Sequence, residues 1–372
     1  MGNINDFTIL INEAGVYQLI FSSKLEKAKA NILDQIAGID VTDENQIKLL
    51  DKIFRVLNSE QSNTTITAAF GPATADEEWS DKARQQHILN VAKIIHDVDT
   101  NYDSLMTFLK KLEQGNVLDV SVFGKKESNF NELLYADPVA IKVFESLQMY
   151  GKGQKRAGAG EFALAMLSPK IKMAPGEGDL VVNGVSTELK TETTAGGGRM
   201  GSGGPNRSDQ IKVLQKYAEH IPELIEMFPD GSRGKSMLVG PFVDLLDKVL
   251  PVGGQSPAGG NNTQIRQALA TDMMRLTFGD PYASAIGKTF GQPNKQLILN
   301  AMIVQNYEWY KARDSFELFV VLSFKSSRLT MIQNGQDMAD AFANGSLNGG
   351  VGAFIHTGQA SEVFGQMKSP KI

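Results

Sequence analysis

The stretch Gly176-Glu-Gly-Asp-Leu-Val-Val-Asn-Gly-Val-Ser-Thr-Glu-Leu-Lys190 constrains this chain more than any other. Asn183-Gly184 lies between two runs rich in β-branched residues and predicts a β-hairpin, because both turn residues tolerate φ > 0. A two-residue turn fixes the register: Val182 faces Val185, Val181 faces Ser186, Leu180 faces Thr187 and Asp179 faces Glu188. Alternation then puts Asp179, Glu188 and Lys190 on one face. Leu180, Val182, Val185 and Leu189 take the other, which reads as core.

Directly opposed side chains have Cβ atoms ~5 Å apart, and like charges there destabilise a sheet. A hard divalent cation held by both carboxylates would offset the repulsion. Mg²⁺ suits this role, since it takes oxygen ligands and is bound through one or two carboxylates plus phosphate oxygens. The plain alternative is an exposed hairpin with solvated charges.

These residues resemble the PD-(D/E)xK nuclease superfamily, the restriction-endonuclease-like fold, in which one acid is followed by acid-x-Lys on the next strand. Asp179 matches the first acid and Glu188-Leu189-Lys190 the second element, with Gly178 in place of the proline. The resemblance extends over residues 130–323, and the motif itself over 161–190. It implies an α/β fold with a mixed sheet flanked by helices. It also implies metal ligation by Asp179, Glu188, Glu161 and the backbone carbonyl of Leu189, with Mg²⁺ as cofactor and Mn²⁺ as a substitute. Catalysis would then fall to Asp179, Glu188, Lys190 and Glu161, with Lys190 orienting the attacking water. Glu161 has a second explanation as a first-turn acid favoured by the helix dipole.

The remaining composition narrows the chemistry. Across 372 residues, 42% hydrophobic and 21% charged content describes a globular chain. No apolar run spans a bilayer and no secretory leader is visible, so a cytoplasmic protein without membrane contact is expected. The absence of cysteine removes disulfides, thiolate zinc sites and cysteine nucleophiles. His87, His96, His220 and His356 show no zinc-ligand spacing, and His96-Asp97 with Asp99 reads as surface charge on a helix. The net charge of −5 argues against indiscriminate polyanion binding. Between Gly151 and Lys216, however, ten Lys or Arg stand against six acids, a local +4 that leaves −9 elsewhere. A basic zone around an acidic metal site suits a phosphate backbone.

Along the chain, residues 1–125 read as a mainly helical region, 126–335 as the nuclease-like α/β core and 336–372 as an extension of one helix and one strand. Residues 9–29 open extended and turn amphipathic. Asn12-Glu-Ala-Gly-Val-Tyr-Gln-Leu-Ile-Phe21, with Ser23-Lys24-Leu25, resembles the start of phage antirepressor domains over about twenty residues, beside the reading as an ordinary helix-bearing segment. Apolar spacing predicts helices over 26–57 and 77–112, the former capped near Gln46 by Asp43 or Thr42. Residues 64–70 are predicted as a short strand or loop. A helix follows over 131–149, begun or interrupted at Asp137-Pro138.

A basic glycine-rich loop with Lys152, Lys155 and Arg156 leads into the Glu161 helix, as a phosphate clamp or a solvated loop. Residues 191–210 form either a flap bringing Arg199 and Arg207 to phosphates or a plain insertion. Helix 209–228 carries Gln210 and Lys212, which the resemblance puts near the site. A strand over 236–239, helices over 243–249 and 263–278, and a low-complexity loop over 251–262 come next. Residues 297–304 are ambiguous between helix and strand. Residues 316–324 and 328–333 predict a hairpin, 337–343 a helix and 351–356 a last strand. Lys325, Arg328 and Trp309 either meet nucleic acid or are ordinary surface groups.

The reading that follows is a Mg²⁺-dependent endodeoxyribonuclease with DNA as partner, in the cytoplasm of a bacterial host or associated with a virion if phage-encoded. Nucleases of this kind are often homodimers, although no heptad seam here requires one. The alternative is a phage structural or assembly protein with a nuclease-like fold for DNA handling. A third reading is a DNA-binding regulator built on residues 9–29.

Overall fold

The computed structural model describes residues 8–11, 17–20, 43–71, 80–99, 101–151, 157–174, 178–192, 198–200, 207–226, 237–350, 353–355 and 366–368. It is a mixed α/β protein of two compact units, 1–189 and 190–372, and the division falls inside one strand.

The first unit starts with antiparallel strands β1 (Thr8–Ile11) and β2 (Tyr17–Ile20). The helical reading of residues 26–42 lies outside the described residues. Helix α1 (Glu44–Leu57) begins where its cap was expected, with the Asp43 carboxylate accepting from the Asn45 N–H at 2.8 Å. Helix α2 (Glu60–Phe70) corrects the predicted strand or loop at 64–70. Thr64, Thr65, Ile66 and Thr67 favour strand locally, but Ser59 caps the helix, and Ile66 and Ala69 bury one face completely or nearly so. Packing against a core outweighs a preference of a few tenths of a kcal/mol per residue.

The long helical stretch over 77–112 resolves into α3 (Asp81–Asp97) and α4 (Tyr102–Glu113), with Asn101 capping the second. Strand β3 (Glu127–Asn129) precedes a single turn, α5 (Phe130–Leu133). Helix α6 (Pro138–Gly151) starts at its proline, as expected, and the Asp137 carboxylate accepts from the N–H groups of Val139 and Ala140. Helix α7 (Ala159–Leu167) packs on α2 and α6 and is buried almost all round, which is why no apolar stripe is visible in its sequence. Phe108, Val143, Phe144, Phe162 and Leu164, all fully buried, make the centre of this unit.

His87 on α3 lies flat on Phe70, with ring centroids 4.1 Å apart and planes 8° from parallel, and its Nδ1 is 2.5 Å from the Tyr150 hydroxyl. Burial holds its pKa below the ordinary 6.5. Below pH 6.5 the unfolded chain binds a proton that the folded ring resists, so stability present above that pH is lost as pH falls through it. Urea titrations on either side of pH 6.5 should show this loss, and His87→Gln should flatten it.

Strands β4 (Ile171–Met173), β5 (Leu180–Val182) and β6 (Val185–Glu192) form an antiparallel meander that ends the first unit. Strand β4 was not anticipated: its three residues are too few to show a period. Strand β6 runs on into the second unit, where it neighbours β9 (Leu318–Ser323), which in turn pairs with β10 (Arg328–Ile332). That hairpin matches the sequence reading.

In the second unit the predicted helix over 209–228 appears as α8 (Arg207–Lys216) and α9 (Glu223–Glu226), which starts just after Pro222. Strand β8 (Met237–Leu238) leads into α10 (Val239–Val249). The loop 251–262 is a closed turn in which Gln255 bridges Asn261, and Asn261 caps α11 (Asn262–Arg275). Helix α12 (Tyr282–Thr289), unforeseen, packs on α11 and on α13 (Lys295–Asp314), which settles the ambiguous 297–304 as helix. Helix α14 (Gly335–Ala343) then follows.

Two short sheets add β7 (Gly198–Arg199), β11 (Asn348–Gly350), β12 (Ala353–Ile355) and β13 (Gln366–Lys368): β13 pairs with β7 and β11, and β12 with β8. One core cluster gathers Phe242, Leu269, Ile286, Phe290 and Met302; another gathers Tyr307, Phe316, Phe319, Ile332 and Met338.

Candidate active site on the β5–β6 hairpin

The hairpin register is the one the turn dictates: Leu180 pairs with Thr187, Val181 with Ser186 and Val182 with Val185. Asn183 and Gly184 take φ of 51° and 88°, as a type I′ turn requires. Beyond Leu180 the ladder departs from regular alternation. The Asp179 N–H donates to the Thr187 carbonyl at 2.9 Å, so two residues of one strand meet one of the other in a β-bulge. Gly178, at φ 69°, makes the kink.

The bulge changes what Asp179 does. A regular continuation would set Asp179 opposite Glu188 and Leu189 opposite Gly178. Instead the Asp179 Oδ2 accepts from the Leu189 N–H at 2.9 Å. A charge-assisted hydrogen bond replaces direct opposition of two carboxylates. The first acid is thereby docked on the backbone of Glu188-Leu189-Lys190.

Strand alternation points Glu188 and Lys190 to one face, away from buried Leu189. Glu188 is only 3% exposed. The Lys190 Nζ lies 5.7 Å from the centre of the Tyr310 ring, within cation–π range. Glu192, the next residue on that face, is also buried, and its Oε2 accepts from the Ser323 hydroxyl at 2.6 Å. The sequence reading passed over Glu192, although the alternation Glu188, Lys190, Glu192 was available. Tyr310 and Ser323 had no local signal.

Glu161 occupies the third position of α7. Its Oε2 accepts from the Gly158 N–H at 2.8 Å, and a Cβ on residue 158 would come within 2.2 Å of its Oε1. The capping contact accounts for this acid without a metal. Among the described residues no group of three or more His, Cys, Asp or Glu is arranged to hold a metal ion. At the hairpin itself the carboxylates present are Asp179 and Glu188. Two carboxylates, with water and phosphate oxygens completing the shell, are compatible with Mg²⁺, and the all-oxygen donors suit a hard cation.

Of the basic residues, Lys152, Lys155 and Arg156 lie outside the described residues. Arg199 closes β7 and Arg207 opens α8, and only their backbones are described. Lys212 is exposed on α8, with its Nζ 3.0 Å from the Asp209 carboxylate. His96, read from sequence as surface charge, is 20% exposed and contacts Asp97 and Gln46 within the helical region.

Gly178→Ala is expected to lower stability by about 1–3 kcal/mol, the cost of a non-glycine residue held in a rare backbone region. Its Cβ would also meet the Thr187 carbonyl oxygen at 2.9 Å. Chemical denaturation of wild type and variant measures the loss.

No described helix is long and apolar enough to cross a membrane. No protein-family model, curated protein or solved structure matches the chain.

Proposed function

We propose that the protein is a Mg²⁺-dependent endodeoxyribonuclease of the PD-(D/E)xK kind, built on a restriction-endonuclease-like core. The supporting observation is the docking of the Asp179 carboxylate on the Leu189 amide, which brings the first acid to the Glu188-Leu189-Lys190 step. Asp179 and Glu188 would hold the cation, with the Leu189 carbonyl as a further oxygen donor. When bound, Mg²⁺ polarises the scissile phosphate and lowers the pKa of a coordinated water. Lys190 would orient the attacking water with its ammonium and stabilise negative charge developing on the phosphate. Arg199, Arg207 and Lys212, with the basic loop at 152–156, supply phosphate contacts along the DNA.

Equilibrium Mn²⁺ binding followed by electron paramagnetic resonance tests the donor set. Asp179→Asn and Glu188→Gln should each abolish saturable binding, and Glu161→Gln should leave it nearly unchanged. Retention of wild-type binding in both hairpin variants would remove the metal site from this reading.

A second reading, the phage structural or assembly protein, draws on two particulars. Glu161 is engaged in a helix cap, and the bulge relieves carboxylate repulsion without a cation. Under that reading DNA is handled without being cut.

A further inference from the structure

In the second unit, Lys190 begins a ladder of alternating cations and rings. Its Nζ lies 5.7 Å from the Tyr310 ring centre; the Arg313 guanidinium lies 4.8 Å from Tyr310 and 4.8 Å from Trp309. On α13 Arg313 follows Tyr310 by three positions and Trp309 by four, so it neighbours each of them on the helix surface. Tyr310 is 4% exposed, whereas the Arg313 side chain is 34% exposed, so the ladder runs from a buried ring toward solvent.

The guanidinium is held in orientation on two sides. Trp309 packs edge-on against Phe278 with centroids 5.2 Å apart, which fixes the ring beneath Arg313. The Asp314 carboxylate accepts from the Arg313 Nε and Nη2 at 2.5 and 2.7 Å and so takes the edge of the plane. About a third of the Arg313 side chain, 34%, is exposed to solvent. A planar guanidinium stacks on π-systems as an ammonium cannot.

We propose that Arg313, backed by Trp309 and Tyr310, stacks an unpaired base of single-stranded nucleic acid beside Lys190. Because it names the substrate of that same site, the inference rests on the nuclease reading. The Arg313 Cζ is no more than 10.5 Å from the Lys190 Nζ, the 5.7 Å and 4.8 Å legs laid end to end. At about 3.4 Å per stacked nucleotide, the base lies within roughly three nucleotides of a phosphate at Lys190. A base inside a duplex has both faces covered by its neighbours, so this contact selects single strands, gaps or frayed ends.

The test is fluorescence anisotropy of the full chain with a labelled short oligothymidylate and with a blunt duplex, in EDTA so that no cleavage intervenes. Arg313→Ala should weaken single-strand binding roughly tenfold or more and leave duplex binding unchanged. Arg313→Lys keeps the charge and loses the plane, and it should restore little of the affinity. Unaltered melting of both variants confirms folding, since Arg313 is on the surface.

Full recovery in Arg313→Lys, equal losses on duplex, or no single-strand binding by wild type would each overturn the stacking site. Arg313-dependent single-strand binding in a chain that cleaves nothing with Mg²⁺ or Mn²⁺ would support the stacking site and remove the nuclease. Metal-dependent cleavage with single-strand binding indifferent to Arg313 would do the reverse.

Discussion

Lys190→Ala is expected to slow DNA cleavage by about 10²- to 10³-fold, the range for removing one preorganised charge from a transition state. Mn²⁺ affinity should stay within a few-fold of wild type, because the carboxylates of Asp179 and Glu188 are untouched. The fold should persist as well: Lys190 is half-buried at the start of the second unit and makes its ring contact with Tyr310, while the hairpin is fixed by its turn and bulge. Asp179→Asn should act differently. The amide keeps an oxygen for the Leu189 N–H and loses the charge, so metal binding and cleavage fall together. Separating the two variants requires both readouts, single-turnover cleavage and Mn²⁺ binding. If Lys190→Ala cleaves at the wild-type rate, the lysine has no part in the chemistry.

The largest stability effect is expected at Arg266, which is fully buried in the second unit. Its Nε donates to the Phe290 carbonyl at 2.8 Å, and its Nη1 to the Asp247 carboxylate at 2.6 Å and to the Leu250 carbonyl at 3.3 Å. Asp247→Ala leaves that buried guanidinium without its counter-charge. The expected loss is about 3 kcal/mol, the low end for a broken buried pair, because the Asp247 side chain is 44% exposed and already screened by water.

Adding Arg266→Met should recover part of that loss, since the second change removes the uncompensated charge and fills similar volume. Urea denaturation of both singles and the double mutant gives the sign directly. A double mutant less stable than Asp247→Ala would show that Arg266 acts through its two carbonyl contacts and not through the ion pair.

These expectations separate what is local from what is not. The hairpin register could be read because a two-residue turn leaves no freedom: once Asn183-Gly184 is assigned, Leu180 and Thr187 must meet. The Asp43 cap and the β9–β10 hairpin were legible for the same local reason. The bulge was not, because it depends on Gly178 adopting positive φ, and the sequence shows a glycine there without its conformation.

Helix α2 was misread because its threonines favour strand, and only burial of Ile66 and Ala69 reverses that. Helix α13 was ambiguous for a related reason. Its buried positions Ile298, Met302, Asn306, Tyr307 and Tyr310 include a polar residue, which blurs the stripe. At the candidate site, Asp179, Glu188 and Lys190 follow from turn chemistry and alternation. Tyr310 reaches Lys190 from 120 positions along the chain, and no spacing rule connects such residues.

The most direct test of the central claim is the cleavage of supercoiled, linear and single-stranded DNA by wild type with Mg²⁺ or Mn²⁺, beside EDTA controls and Asp179→Asn. The account predicts metal-dependent cleavage of at least one substrate, lost in EDTA and in the variant. Wild type that binds DNA and leaves every substrate intact with either metal would contradict it, and would favour the assembly protein.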